Sequence, residues 1–331
     1  MRVMKTKGLL TTILLTGLLV ILSACQKAPL PQDAKAGAPA ADGSARQKFS
    51  TQPNEIYGPP TRVGALGDRA INESSGIVAS RTTPGMYWTH NDSGDGPFIY
   101  AFDARGHNRG VWHVTGATAY DWEDIAAGPG PTAGTNYLYI GDIGDNEEKR
   151  SQIIVYRVPE PFITAADGAS RKSNPQSTEG VEVLRLRYPD GKHDSEALLV
   201  HPVTGKIYVV TKIQFGNAGV YEADPTQRPA GVVMFSRVGT LSVPTLFGGM
   251  ITGGDISPDG LRVALCDYVQ GYEIVLPEAS PAFNLIWKQP LRPIALGQRE
   301  QGEAIGYRLD GKALLATSEG RPAPLVQVAR P

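Results

Sequence analysis

The sequence predicts an all-β fold, a five-bladed β-propeller, from three observations. Short apolar runs bounded by turn residues fill the chain after residue 56, and no amphipathic helix longer than about two turns stands out. A strand–turn–strand pattern recurs five times at a spacing of roughly 50 residues, which is typical of propellers. An alternating apolar segment at residues 61–66 precedes the first repeat and can complete the last one. A six-bladed propeller and a β-sandwich are the alternatives.

The repeats are read from their turns. Three of them place a glycine-containing turn between two apolar strands, at Thr204-Gly205, Asp259-Gly260 and Asp310-Gly311. Two looser copies begin near residues 75 and 123. A third strand follows each hairpin, and the candidate fourth strands are residues 111–114, 181–186, 233–238 and 285–288. The fifth repeat has no fourth strand of its own, so residues 61–66 are predicted to supply it and close the ring, which removes exposed sheet edges.

The N-terminus is typical of an exported protein. Residues 1–24 have a basic start and then a largely apolar stretch, residues 9–22, that is too short to span a bilayer comfortably. The stretch ends in Leu22-Ser23-Ala24-Cys25, which resembles the bacterial lipobox. That resemblance implies cleavage before Cys25 and acylation of Cys25. The acyl chains, more than one of them, would anchor the protein in the lipid bilayer. With Gln26 next, it also implies the periplasmic face of the outer membrane; an ordinary secretory signal is the alternative.

Composition divides the rest of the chain in two. Residues 25–55 are rich in Ala, Gly, Pro and Gln and predict a flexible tether, which leaves residues 56–331 for the propeller. The 331 residues include 32 Lys+Arg and 33 Asp+Glu, a balance that argues against a nucleic-acid partner and a disordered polyanion. With Cys25 acylated, Cys266 has no disulfide partner and is expected to be a small buried side chain.

One oxygen-bearing residue begins the first strand of every repeat. Aligned on their turns, these residues are Ser75, Glu123, Glu196, Thr252 and Glu303. First strands line the axis of a propeller, so three carboxylates should face one another there, which is costly unless a cation neutralises them. Ligands made only of oxygen suit a hard cation such as Ca²⁺. Asp255 is a further candidate if Gly253-Gly254 forms a bulge. The alternative is a water-filled channel whose acids bond to backbone amides or arginines.

The order of these five residues resembles a known family. In the five-bladed calcium-dependent nucleotidases, the apyrase family, blade-start residues in the order Ser, Glu, Glu, Ser, Glu hold an axial calcium. The five residues here follow that order, with Thr252 for the second serine. The resemblance covers the blade starts. It implies Ca²⁺ as the cofactor and calcium-dependent hydrolysis of phosphoester or phosphoanhydride substrates.

The ends of the second strands should form a polar ring at the same rim. There Asp92, Asp142 and Asp267 are the candidate catalytic bases beside a bound metal ion. Basic residues expected near this mouth are few, and they are Lys212, Arg150 and Arg157. A non-enzymatic scaffold that binds an envelope protein or a glycan is therefore the alternative to a hydrolase acting on a small anionic substrate.

Overall fold

The structure, a computed structural model, describes residues 56–227, 231–243 and 249–331. Cys25 and the predicted signal peptide and tether up to residue 55 lie outside the described residues. The described part is nearly all β, with 22 strands in five sheets that form the five blades of a propeller. This confirms the predicted fold and blade number. None of the helices formed by these residues has the length and apolar character needed to cross a membrane.

The first two blades each carry an added outer strand. One strand, β1 (Thr61–Ala65), precedes them. Blade 1 consists of β2 (Ser74–Ala79), β3 (Met86–Asn91), β4 (Phe98–Asp103), β5 (Asn108–His113) and the short parallel β9 (Gln176–Ser177). Blade 2 consists of β6 (Trp122–Pro129), β7 (Asn136–Asp142), β8 (Ile153–Pro159), β10 (Glu182–Arg187) and the parallel β14 (Val232–Met234).

The other three blades have four antiparallel strands each. Blade 3 consists of β11 (Ser195–Val200), β12 (Ile207–Thr211), β13 (Ala218–Ala223) and β15 (Ser236–Leu241). Blade 4 consists of β16 (Gly253–Ile256), β17 (Arg262–Cys266), β18 (Gly271–Val275) and β19 (Arg292–Ile294). Blade 5 consists of β20 (Gly302–Tyr307), β21 (Ala313–Ser318), β22 (Pro324–Ala329) and β1.

The ring closes through β1, as predicted for residues 61–66. Thr61 pairs with Gln327 and Ala65 pairs with Pro324, so a strand from the start of the domain completes the sheet made by its end. Gly64 lies where a Cβ atom would be 2.0 Å from the backbone oxygen of Arg105, so only glycine lets the closing strand approach blade 1 this closely.

One predicted fourth strand is wrong and another is shifted. Residues 285–288 belong to a 3-10 helix, Phe283–Lys288, and the fourth strand of blade 4 is β19. The helix buries Trp287, whose ring lies 5.7 Å from that of Tyr208 in blade 3, so it fills the space between two blades. In the sequence, an apolar run of four residues is equally consistent with a buried strand and with a buried helix. Residues 232–234 extend blade 2, and the fourth strand of blade 3 starts at Ser236.

The core consists of five apolar clusters, each between two adjacent blades. The cluster between blades 1 and 2 contains Trp88, Trp112 and Trp122, all buried. Adjacent blades therefore pack against each other through the faces of their sheets. The innermost strands β2, β6, β11, β16 and β20 keep one unpaired edge each, and these edges face the axis.

Candidate metal centre

The five predicted axial residues occupy the same position in the five blades. In four innermost strands the register with the second strand skips one residue, and the skipped residues are Ser75, Glu123, Glu196 and Glu303. The residue after each skipped one pairs with His90, Gly141, Val210 and Thr317, respectively. Thr252 directly precedes Gly253, which pairs with Cys266 at the equivalent position. A bulge leaves its extra residue unpaired and re-aims the side chain, here at the edge that faces the axis.

The two hydroxyl residues tie neighbouring blades together. Ser75 donates its hydroxyl to the backbone oxygen of Glu123 at 2.6 Å. Thr252 donates its hydroxyl to the backbone oxygen of Gly302 at 3.0 Å. Each hydroxyl oxygen still has lone pairs after donating its proton. Both residues are buried.

The three glutamates are buried, and one of their oxygens lacks a partner. Glu123, Glu196 and Glu303 are 4%, 5% and 5% exposed. Glu196 accepts a hydrogen bond from the ammonium of Lys212, and Glu303 Oε1 accepts one from Gln301 Nε2 at 2.7 Å. Glu303 Oε2 is buried with no hydrogen-bond partner. A buried carboxylate oxygen without a partner is unfavourable, so this atom is a candidate to bind a cation or to carry a proton.

Burial and neighbouring carboxylates raise the pKa values of all three glutamates. Burial first, and then nearby carboxylates, raise the pKa of Glu123 well above its usual range, with Glu196 the largest of the neighbouring charges. Burial raises the pKa of Glu196 to about 8, against the opposing effect of Lys212. The pKa of Glu303 is also raised to about 8, by burial and then by Glu319 and Glu196. Glu196 raises the pKa of both Glu123 and Glu303, as expected of carboxyl groups from three blades that lie near one another.

Two further acids, Asp92 and Asp121, lie beside Glu123 and form with it the acidic mouth of the site. Asp92, Asp121 and Glu123 bring carboxylate oxygens within 4.8 Å of one another, close enough to share a metal ion. Burial and the neighbouring carboxylates raise the pKa of Asp121 to about 6. Asp92 is one of the predicted bases, and the pKa of its carboxyl is raised by burial.

Sequence reasoning missed Asp121, although the sequence contains a signal for it. The residue two positions before each blade start is polar in four blades, and these residues are Glu73, Asp121, Asp194 and Gln301. These residues directly precede the strands that carry the axial side chains. The recurrence of a polar residue at this position is the signal from which Asp121 could have been predicted.

The other two predicted bases are held by structural hydrogen bonds. Asp142 accepts hydrogen bonds from the backbone N–H groups of Tyr120 and Asp121 at 3.2 and 3.3 Å, and pairs with Arg150 at 2.8 Å. Asp267 accepts from two backbone N–H groups of its own turn and from the Tyr272 hydroxyl at 2.6 Å. Asp142 thus positions the segment that carries Asp121, and Asp267 orders the turn that carries Tyr268.

Two further aspartates join the innermost strands next to the glutamates. Asp124 accepts hydrogen bonds from the N–H groups of Leu198 at 2.9 Å and Gly254 at 3.3 Å, in the two following blades. Asp255 accepts from the N–H of Tyr307 at 2.9 Å. The pairing of Gly253 and Gly254 with β17 is regular, so the bulge expected to turn Asp255 inward is not present. Burial raises the pKa of Asp124 well above its usual range and that of Asp255 to about 7. Both carboxyls satisfy strand edges that would otherwise be unpaired.

Comparisons with known proteins yield a fold likeness only. No protein-family model matches the chain, and no curated protein matches it. Among solved structures 797 chains match. One is the structure of U3-55K, which is similar over 77% of this chain and 67% of that chain, with a TM-score of 0.37 and 10% identity. The five-bladed architecture is established by the strand pairing within this chain.

Proposed function

We propose that this β-propeller binds a calcium ion on its axis, through the side chains of Ser75, Glu123, Glu196, Thr252 and Glu303. The observation that carries the proposal is the buried oxygen Glu303 Oε2, which has no hydrogen-bond partner within a group of buried carboxyls. A divalent cation would compensate this oxygen and lower the raised pKa values of the three glutamates together. Asp92 and Asp121 are placed to add ligands from the mouth.

The donor set favours calcium among the divalent cations. All proposed ligands are oxygens from carboxylates and hydroxyls, which suits hard cations. Calcium accepts six to eight oxygens in flexible geometry, whereas Mg²⁺ requires near-ideal octahedral geometry and keeps several waters. The five axial residues come from five blades related by fivefold pseudosymmetry. They offer more than four oxygen donors, and these donors are not arranged as an octahedron.

The proposal places the propeller at the periplasmic face of the outer membrane, held in the bilayer by acylated Cys25. In this proposal residues 25–55, whose composition predicts a tether, connect the anchor to the propeller. More than one acyl chain supports stable attachment without a spanning helix. Substrate or partner therefore reaches the propeller from the periplasmic side.

Hydrolysis is the further step of the proposal, and it rests on Asp92. Of the three candidate bases, Asp142 and Asp267 are engaged with backbone, arginine or tyrosine groups, whereas Asp92 lies in the acidic cluster with Asp121 and Glu123. A bound calcium would polarise an oxygen of an anionic substrate. The scaffold alternative uses the ion only to fix five blades around one point and leaves the rim for an envelope protein or glycan.

Calcium titration of EDTA-treated protein tests the proposal. At a calcium concentration one hundred times Kd, linkage predicts about 2.7 kcal/mol of stabilisation, which corresponds to a rise in Tm of roughly 5–10 °C for a domain of this size. Glu303→Gln should remove most of that shift, and Glu278→Gln, at an exposed position, should leave it unchanged. An unchanged Tm in millimolar calcium would exclude the axial ion.

A phosphate-release assay on the same protein distinguishes a hydrolase from a scaffold. Calcium-dependent phosphate release from a nucleoside diphosphate supports the hydrolase if Asp92→Asn abolishes it even at a calcium concentration high enough to give the variant the full calcium-induced rise in Tm. No release by a protein that calcium does stabilise supports the scaffold.

A further inference from the structure

A cavity of about 670 Å³ adjoins the acidic mouth on the side of blade 5. It lies between the loop that connects β19 to β20 and the outer strands β22 and β1. Its charged lining consists of Arg62, Arg299, Arg321, Glu300 and Glu319. Three arginines against two carboxylates make this cavity cationic, in contrast to the mouth beside it.

One glutamine side chain connects the cavity to the axial site. Gln301 Nε2 donates a hydrogen bond to Glu319 Oε1, which lines the cavity, at 2.6 Å. The same nitrogen donates to the axial Glu303 Oε1 at 2.7 Å. Gln301 therefore links a wall of the cavity to the axial glutamates through two hydrogen bonds.

The arginines in the cavity are available to a ligand. Among the described residues, no carboxylate forms an ion pair with Arg62, Arg299 or Arg321, whereas other arginines, such as Arg109, Arg150, Arg157, Arg262 and Arg308, have such partners. Arg299 is fixed in place, since it donates to the backbone oxygens of Thr317 at 3.2 Å and Asp267 at 3.4 Å. Its guanidinium lies flat against Gly302, where a Cβ atom would be 2.3 Å from the guanidinium carbon. Arg62 and Arg321 are exposed at the outer part of the cavity.

We propose that this cavity binds a small ligand that carries two or more oxyanion groups, with its outer oxyanion held by Arg62 and Arg321 and its inner end directed to the axial site by Arg299. Guanidinium groups bind phosphate, sulfate and carboxylate oxygens through paired hydrogen bonds. Contact between the inner end and the ion rests on the proposed function. The affinity of the arginines for the oxyanion does not, because it needs no calcium.

Titration calorimetry on the calcium-free protein tests the cavity by itself. The probes are inorganic pyrophosphate and, in parallel, citrate, which separate a preference for phosphate from one for carboxylate. Arg321→Met and Arg62→Met should each weaken binding by about three- to tenfold, the usual effect of one charged hydrogen-bonding partner at a partly exposed site. Arg105→Met, at an exposed position on the β4–β5 turn, is the matched control and should have no effect.

A variant that is expected to bind more tightly is also needed, because misfolding could explain a loss of affinity but not a gain. Glu300 is exposed and lines the cavity, so Glu300→Gln should tighten binding of either probe by removing a repelling charge. The proposal is overturned if neither probe binds, if Arg105→Met weakens binding as much as Arg321→Met, or if Glu300→Gln leaves the affinity unchanged. Failure of the axial metal site would leave these calcium-free affinities intact, so the two proposals fail separately.

Discussion

Replacing Lys212 with methionine should tighten calcium binding while destabilising the calcium-free protein. The Lys212 ammonium bonds to Glu196 and lies 5.2 Å from the centre of the Tyr268 ring. The Lys212 ammonium therefore competes with the proposed calcium ion for the carboxylate of Glu196. Methionine keeps the apolar stem against Tyr268 and removes the charge.

The magnitude follows from burial and charge. Breaking a buried ion pair by removing one partner costs about 3–5 kcal/mol. Lys212 is 16% exposed and Glu196 can take up a proton, since its pKa is raised to about 8. We therefore expect a loss of about 1–2 kcal/mol without calcium. With the competing ammonium gone, the calcium Kd should fall by about tenfold, which corresponds to about 1.4 kcal/mol.

A variant of Glu196, the partner of Lys212, should have the opposite effect on calcium affinity. Glu196→Gln removes a proposed ligand and should weaken calcium binding, so the two members of one ion pair have opposite effects. Calcium titration by calorimetry gives both affinities, and urea unfolding in EDTA gives the stabilities. If both variants weaken calcium binding, Lys212 supports the site instead of competing with the ion, and the reasoning fails.

Two further predictions concern pH and the membrane anchor. Because Glu196 and Glu303 have pKa values raised from 4.5 to about 8, the folded protein binds more protons than the unfolded chain in that window. The calcium-free protein should therefore lose stability as pH rises through it, while the rise in Tm caused by calcium grows, since calcium must displace those protons. Melting curves at about pH 5 and pH 8 test this, and equal calcium shifts at both would contradict it. Separately, Cys25→Ser should abolish incorporation of an alkynyl palmitate label and move the protein from the membrane to the soluble fraction; retained label would exclude Cys25 as the acylated residue.

The equivalence of the axial positions could be predicted because turn chemistry sets the strand register. Glycine turns such as Asp259-Gly260 fix where each hairpin folds, and counting back from them identifies one residue per blade. The bulge at Glu123 or Glu196 could not be predicted, because it is a property of two paired strands rather than of either sequence. That bulge aims the side chain at the axis.

The positive charges near the mouth were the least predictable part of the site. Arg157, expected nearby, lies on β8, the third strand of blade 2, where it pairs with Glu182. Arg150 is used by Asp142. The arginines of the blade 5 cavity come from loops and from the closing strand, where no periodic pattern predicts which side chains meet.

The closing pair of strands affects more than the stability of blade 5. In the other blades the four strands nearest the axis follow one another in chain order, whereas β1 and β22 pair distant parts of the chain. If this seam separates, the circumference is no longer fixed and the five bulged side chains can draw apart. The firmness of one strand pair at the perimeter therefore governs the width of the space at the centre.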